Sequence, residues 1–131
     1  MSGQVEVPAS KSLTNRYLLL AALAEGPSVV VNPLDSRDSR LMLSALESLG
    51  AEVEHFSSWG PTGEPAVRIT PIGSPAGEQD PVEVDCGLAG TVMRFVPAVA
   101  ALTGGPVRFD GDPEAYLRPM GAVLEGLGSL G

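Results

Sequence analysis

The sequence has a single cysteine, Cys86, so no disulfide framework can form within its 131 residues. This absence fits a reducing compartment. Cations are also scarce, because eight lysines and arginines face sixteen acids and the formal net charge is −8. Such a charge argues against a general binder of nucleic acids or anionic membranes. The N-terminus lacks the basic and apolar blocks of a secretory signal peptide. We therefore expect a cytoplasmic protein.

Long apolar runs and clusters of metal ligands are missing as well. The most apolar stretch, residues 13–24, is too short to span a bilayer and predicts a buried core helix. The single histidine, His55, has no second histidine or cysteine at ligand spacing, so no metal site is expected. We predict that His55 is a surface or structural residue. Cys86, which lacks a paired histidine, is expected to be a small buried residue rather than a nucleophile.

What is present is an alternation of short strands and helices, which predicts an α/β fold. Strands are predicted at residues 4–7, 28–31, 51–56, 66–72, 81–85 and 107–110. Helices are predicted at residues 13–24, 35–49, 91–102 and 119–127. Asp35-Ser36 offers an N-cap for the second helix, and Gly50 offers its stop. A polar connection at residues 74–80 separates the two halves.

The second half restarts the pattern of the first. AALAEGP at 21–27 returns as AALTGGP at 100–106, and LESLG at 46–50 returns as LEGLG at 124–128. The repeat predicts βαβαββ units, a complete one over residues 4–72 and a truncated one over 81–131. Because the closing strand pair is absent after LEGLG, we expect a fragment of a longer protein. The alternative is a degenerate terminal repeat of a solenoid.

Four of the eight cations stand at predicted helix starts. Lys11 and Arg16 flank the start of the first helix, Arg94 follows a glycine-rich turn, and Arg118 precedes Pro119. Helix N-termini carry partial positive charge, so cations there are disfavoured unless an anion lies among them. The pattern predicts an anion-binding site at one end of the fold. The alternative is that each arginine pairs with one of the acids.

Three segments in this order, PASKSLTNR, AGTVMR and GDPEAYLRP, resemble the N-terminal part of the 5-enolpyruvylshikimate-3-phosphate synthases. The resemblance covers essentially the whole chain. It implies a partial N-terminal domain, built from βαβαββ units with helices inside and sheets outside. In that family the first strand crosses to the other domain, so residues 4–7 would lack their partners here.

The implied reaction transfers the enolpyruvyl group of phosphoenolpyruvate to the 5-hydroxyl of shikimate 3-phosphate and releases phosphate. No metal or organic cofactor is implied. Most proton-transfer groups of the family lie in the missing C-terminal remainder, which would be the partner of this chain. We therefore expect one wall of a cleft that is inactive alone. Nucleic acid and membrane partners are not expected.

The resemblance also implies roles for seven residues of this sequence. Lys11, Ser12 and Arg16 would bind shikimate 3-phosphate. Lys11 would also reach phosphoenolpyruvate and act as the catalytic residue, while Gly90 and Arg118 would bind phosphoenolpyruvate. Two further residues of the same motifs would support the site: Thr91 and Arg94.

Two positions depart from the usual family motifs. Ala9 replaces a glycine beside the expected phosphate site, and Leu88 replaces an asparagine before Gly90. Both affect the expected affinity for inhibitors that mimic phosphoenolpyruvate. Two other functions stay open: a non-catalytic anion-binding module, and the sister enzyme that acts on UDP-N-acetylglucosamine. The sister enzyme is disfavoured because Ser12, rather than asparagine, follows Lys11 and no cysteine precedes Arg118-Pro119.

Overall fold

Helices and strands alternate along the chain in the order that the sequence predicts, except at the two ends. The structure, a computed structural model, describes residues 2–73 and 80–131, so most of the connection predicted at 74–80 lies outside the described residues. Its elements, in chain order, are α1 (Lys11–Ala22), β1 (Ser28–Val31), α2 (Arg37–Ser48), β2 (Glu52–Trp59), β3 (Glu64–Thr70), β4 (Val82–Asp85), α3 (Gly90–Ala100), β5 (Val107–Asp110) and α4 (Gly121–Ser129).

The strand predicted at residues 4–7 does not form. Residues 2–10 carry no strand pairing, and the side chains of Val5 and Val7 are 82% and 80% exposed. A strand needs a neighbour to accept and donate its backbone hydrogen bonds, and no described segment pairs with this one. The absence of partners agrees with the expectation drawn from the family resemblance.

The strands form two sheets. β1, β3 and β2 lie in that order in an antiparallel sheet, with Val30 opposite Val67 and Val53 opposite Ile69. β2 and β3 run further towards their shared turn than predicted, so Trp59 lies in a strand rather than in a loop. β4 and β5 pair in parallel in a separate sheet. These sheets and the helices that pack on them give the expected α/β class.

α2 lies at the centre of the core. It packs against α1, α3 and β4, and its Met42 and Leu46 side chains are completely buried. The predicted signals at its ends are confirmed. Ser36 caps the helix and forms a capping box with Ser39, and Gly50 takes the left-handed conformation just beyond the last turn.

The prediction that the first helix is buried on all sides is wrong. α1 buries Leu18 and its two terminal alanines, but Leu13, Tyr17 and Leu20 are each more than half exposed. α2, α3, β1 and β3 pack on α1, and no described element covers its exposed apolar residues. The helix begins at Lys11, two residues earlier than predicted, because the Ser10 hydroxyl accepts a hydrogen bond from the Leu13 N–H.

The predicted start of the last helix is also wrong. A 3-10 helix covers Pro113–Leu117, and α4 begins only at Gly121. Arg118 lies between them in an extended conformation, with φ −84° and ψ 134°. The helical region is sterically disfavoured for a residue that precedes proline, and Arg118 precedes Pro119. The segment therefore turns before α4 instead of continuing into it.

Candidate anion-binding site

The N-terminal ends of α1 and α3 open into one groove of about 410 Å³. All seven residues that the motifs single out lie in its lining, together with an acid and two apolar residues. The lining residues are Lys11, Ser12, Arg16, Asp38, Leu88, Gly90, Thr91, Arg94, Phe95 and Arg118. The groove is therefore lined by residues that are far apart in sequence, from Lys11 to Arg118.

The charges of this groove are unlike those of the rest of the surface. Five of the eight cations form ion pairs with carboxylates in the described chain. The remaining three, Arg16, Arg94 and Arg118, have no such pair among the described residues, and all three line the groove. The alternative that each arginine pairs with an acid is thus wrong for these three. Unpaired guanidinium groups that share a groove favour an anionic ligand.

Lys11 is the exception among the lining cations, because its Nζ lies 3.0 Å from Asp38 Oδ2. Among the described residues, Asp38 contributes the one carboxylate side chain of the lining. The Lys11 side chain is more than half exposed, so solvent screens the pair. An ion pair of this kind is worth about 0–1 kcal/mol. A phosphate or carboxylate ligand can therefore compete with Asp38 for Lys11.

Arg16 is held by its own helix and by α3. Its Nη1 donates a 3.2 Å hydrogen bond to the Ser12 carbonyl and another to the Ser12 hydroxyl. The guanidinium carbon lies 5.3 Å from the centre of the Phe95 ring, within cation–π distance. These contacts use a small part of its donor capacity. The guanidinium is positioned but remains available to a ligand.

The start of α3 has no side-chain cap. Its N-cap residue is Ala89, which makes no capping hydrogen bond, whereas Ser10 and Ser36 cap α1 and α2. The first N–H groups of α3 therefore receive no side-chain acceptor at the N-cap. Together with the partial positive charge of a helix N-terminus, such groups stabilise an anion that docks beside Gly90 and Thr91.

Gly90 keeps the centre of the groove open. A Cβ atom at this position would lie 3.1 Å from Arg94 Nη1 and 3.3 Å from Arg118 Nη1. Both distances are shorter than ordinary van der Waals contacts, so any side chain would occupy the space between the two guanidinium groups. Glycine here leaves room for close approach, and its backbone angle is not unusual.

Arg118 reaches the groove on a segment that α2 holds in place. Arg37 Nη1 and Nη2 donate to the two carboxylate oxygens of Asp112 at 2.7 and 2.8 Å, and the Asp112 N–H donates to the Gly87 carbonyl at 3.1 Å. The guanidinium lowers the pKa of Asp112, chiefly through these hydrogen bonds, and Asp112 in turn raises the pKa of Arg37. Gly111 permits this approach, since a Cβ there would lie 2.7 Å from the Gly87 carbonyl oxygen.

Sequence reasoning missed the pair of Arg37 and Asp112. Arg37 is the first residue of α2, so it carried the same signal as the other cations at helix starts. Its partner lies 75 residues away, and no local pattern connects the two. Asn15 was missed as well, although it lies within the SKSLTNR motif and is completely buried.

The two remaining candidate residues of the sequence analysis are His55 and Cys86. His55 is exposed on β2, and Cys86 is buried, as predicted. Burial raises the pKa of the Cys86 thiol to about 11, so the reactive thiolate is scarce at neutral pH.

Within residues 2–73 and 80–131, no group of three or more His, Cys, Asp or Glu side chains could hold a metal ion. None of the helices in that part of the chain has the length and apolar character needed to cross a membrane.

The chain is similar to proteins of one known family. The family model for EPSP synthase (3-phosphoshikimate 1-carboxyvinyltransferase) matches residues 1–131. A curated 3-phosphoshikimate 1-carboxyvinyltransferase of Kocuria rhizophila is 61% identical over the whole chain, and one of Bifidobacterium longum is 50% identical. The chain spans 29% and 28% of the length of these relatives.

Solved structures show the same relationship. A structure of EPSP synthase from Acinetobacter baumannii superposes with a TM-score of 0.70 at 26% identity, covering 98% of this chain and 28% of that one. A second structure of the enzyme from the same organism gives a TM-score of 0.66. The α/β class predicted from the alternating pattern is thereby confirmed. Because the family model spans every residue, the chain belongs to the EPSP synthase family.

Proposed function

We propose that this chain forms one wall of the active site of a 3-phosphoshikimate 1-carboxyvinyltransferase. The complete enzyme would transfer the enolpyruvyl group of phosphoenolpyruvate to the 5-hydroxyl of shikimate 3-phosphate and release phosphate. The observation that carries this proposal is the convergence of Arg16, Arg94 and Arg118, which form no ion pair among the described residues, on one groove with Lys11. Two phosphates and two carboxylates must be held together in this reaction, and clustered cations supply that need.

The two ends of the groove suit the two substrates. Lys11, Ser12 and Arg16 lie together at the start of α1, and we assign them to shikimate 3-phosphate. Gly90 and Arg118 lie together at the start of α3, and we assign them to phosphoenolpyruvate, with Lys11 reaching both ligands. Arg118 offers a planar fork of donors that matches a carboxylate or a phosphate.

Thr91 and Arg94 support the phosphoenolpyruvate end of the groove. Arg94 adds positive charge beside Gly90, and Thr91 contributes a hydroxyl to the lining. Leu88 also lies in the lining, where it presents apolar surface in place of an amide. The Leu88 side chain therefore offers no hydrogen bond to a ligand at this point.

The chemistry requires protonation of the methylene carbon of phosphoenolpyruvate, which produces an oxocarbenium-like centre. The 5-hydroxyl then adds to that centre, and the tetrahedral intermediate eliminates phosphate. In this scheme the groove residues hold the anionic groups of the two substrates at fixed positions relative to each other. They also stabilise the charge of the departing phosphate. The groups that transfer protons would come mostly from the rest of the enzyme.

We propose that the chain is part of the N-terminal domain of a cytoplasmic enzyme. Residues 4–72 and 81–131 would be its first βαβαββ unit and part of its second. The two matching sequence segments support this division, as does the similar order of helices and strands in the two halves. The remainder of the enzyme would be the partner of the exposed apolar residues of α1.

The test compares the segment with the complete protein. The 131-residue chain alone should release no phosphate from phosphoenolpyruvate and shikimate 3-phosphate, and the complete protein should release it. UDP-N-acetylglucosamine as the acceptor should give no product with either. Turnover by the purified segment would contradict the assignment of one wall only, and turnover with the sugar nucleotide would contradict the proposed substrate.

A further inference from the structure

Asn15 lies beneath the groove rather than in its lining. The residue is completely buried, and its Nδ2 donates to Thr91 Oγ1 at 2.7 Å and to the Asp38 carbonyl at 3.3 Å. Its Oδ1 has no hydrogen-bond partner among the described residues. The carbonyl of Asp38 can only accept, so the amide nitrogen must face it and the same nitrogen donates to Thr91.

The two partners of Asn15 belong to the two ends of the groove. Thr91 follows Gly90 at the start of α3, and Asp38 pairs with Lys11 through its carboxylate. Asn15 itself is the neighbour of Arg16 on α1. One buried amide therefore connects α1, α2 and α3, which carry most of the groove residues.

This connection is not the arrangement that maximises stability. Burying an acceptor without a partner costs about 1–3 kcal/mol. A leucine, similar in size, would fill the same space without an unsatisfied polar atom. What leucine lacks is the donor that fixes the start of α3 relative to α1 and α2.

The hydrogen bond also constrains the Thr91 hydroxyl. Because Thr91 Oγ1 accepts from Asn15, its own proton remains free to be donated, and Thr91 lies in the groove lining. We propose that Asn15 is a positioning residue that holds Thr91 as a hydrogen-bond donor towards an anion in the groove. This inference rests on the proposed function, and it adds a residue that acts on phosphoenolpyruvate through Thr91.

The experiment uses the complete protein and three variants. Asn15→Leu removes the donor, Thr91→Val removes the acceptor and the donated proton, and Thr14→Val is the matched control. Thr14 is the neighbour of Asn15 on α1 and is 5% exposed, but its hydroxyl accepts from the Leu34 N–H outside the groove. Steady-state kinetics with saturating shikimate 3-phosphate would give kcat and the KM for phosphoenolpyruvate, and thermal unfolding would give Tm.

We expect Asn15→Leu and Thr91→Val each to raise the KM for phosphoenolpyruvate by about tenfold, the effect of losing one oriented hydrogen bond. The double variant should be no worse than either single variant, because both remove the same interaction. Thr14→Val should lower Tm and leave KM unchanged. Additive effects in the double variant, or an equal change of KM in Thr14→Val, would overturn the positioning role.

Thr91→Val keeps the inference testable if Asn15→Leu does not fold, because it breaks the same hydrogen bond without changing α1. An unchanged KM in Thr91→Val would then overturn the proposal. The failure of the proposed function is separately visible, because the unaltered protein would then release no phosphate. In that case calorimetry with inorganic phosphate replaces kinetics. Asn15→Leu and Thr91→Val should weaken phosphate binding and Thr14→Val should not, and equal affinities in all three would overturn the positioning role.

Discussion

The N-termini of α2 and α3 begin with similar sequence signals and have opposite surroundings. At α2, Ser36 forms a capping box, and Arg37 forms an ion pair with Asp112. At α3, Ala89 provides no cap, and Arg94 forms no ion pair among the described residues. The donors and charges of α2 are thus satisfied within the chain, and those of α3 remain available.

The difference separates a helix start whose donors and charges are satisfied within the described chain from one whose donors and charges remain available. A cation near a helix N-terminus is unusual in both cases. Arg37 meets this criterion as well as Arg94 does, yet it serves to hold the segment that carries Arg118. The absence of a cap and of an ion pair, both visible only in the structure, separates α3 from α2.

Lys11→Ala in the complete protein should give the largest effect, because we propose that one ammonium group serves both substrates. The loss of a charge-assisted hydrogen bond costs on the order of 1.5–3 kcal/mol, or roughly ten- to a hundredfold in affinity. Calorimetry should show this loss for shikimate 3-phosphate and for phosphoenolpyruvate. Unchanged binding of both would mean that Lys11 serves only its ion pair with Asp38.

Arg118→Ala should weaken the binding of phosphoenolpyruvate by a similar factor and leave the binding of shikimate 3-phosphate nearly unchanged. The effect should shrink as salt rises, because ions screen the attraction that the variant removes. The affinity for phosphoenolpyruvate, measured at two salt concentrations, checks this.

Arg37→Met releases the segment that carries Arg118 but keeps Arg118 itself. If this variant does not change the affinity for phosphoenolpyruvate, the ion pair of Arg37 with Asp112 does not position Arg118.

Gly90→Ala should weaken the binding of phosphoenolpyruvate about tenfold, because a methyl group that crowds a bound ligand costs about 1–3 kcal/mol. The added methyl group would enter the space between Arg94 and Arg118. Steric overlap is not screened, so this loss should be nearly independent of salt, unlike that of Arg118→Ala. The same salt dependence in both variants would contradict the placement of one of these residues.

Ser36→Ala should change stability without changing ligand affinity. Loss of an N-cap costs about 1 kcal/mol, which thermal or denaturant unfolding can resolve.

The matched change at α3 is Ala89→Ser, which introduces a side-chain cap where none exists. The serine hydroxyl should weaken the binding of phosphoenolpyruvate, because it competes for the same N–H groups. An effect of Ser36→Ala on substrate affinity would show that the two helix starts are not separate in function.

Asp112→Asn should give the smallest effect, which should be visible in how the free energy of unfolding falls at acid pH. The pKa of Asp112 is lowered in the folded chain, so its contribution is present above the ordinary aspartate pKa of about 3.9 and is lost as pH falls through the lowered value. The variant should have a shallower loss of stability with falling pH than the unaltered protein. A parallel pH dependence of unfolding in both would show that the ion pair does not contribute.

Local chemistry explains what could be predicted. The run of valines in β1 and the short strand β5 were predicted with the bounds that the structure has, because alternation and β-branching are local signals. The Ser36 cap was predicted for the same reason. Seven residues that line the groove belong to the motifs that carry the family resemblance, whereas Asp38 and Phe95 were not predicted.

Sequence by itself therefore determined the order of the elements from β1 to β5, the cap of α2 and seven of the residues that line the groove. Tertiary structure decided that residues 4–7 stay unpaired and that one side of α1 is exposed, since both depend on whether another element lies alongside. It also decided that Arg37 meets Asp112 and that Asn15 joins three helices. The physical reason is range: propensities and caps act over a few residues, whereas these contacts connect residues up to 76 positions apart.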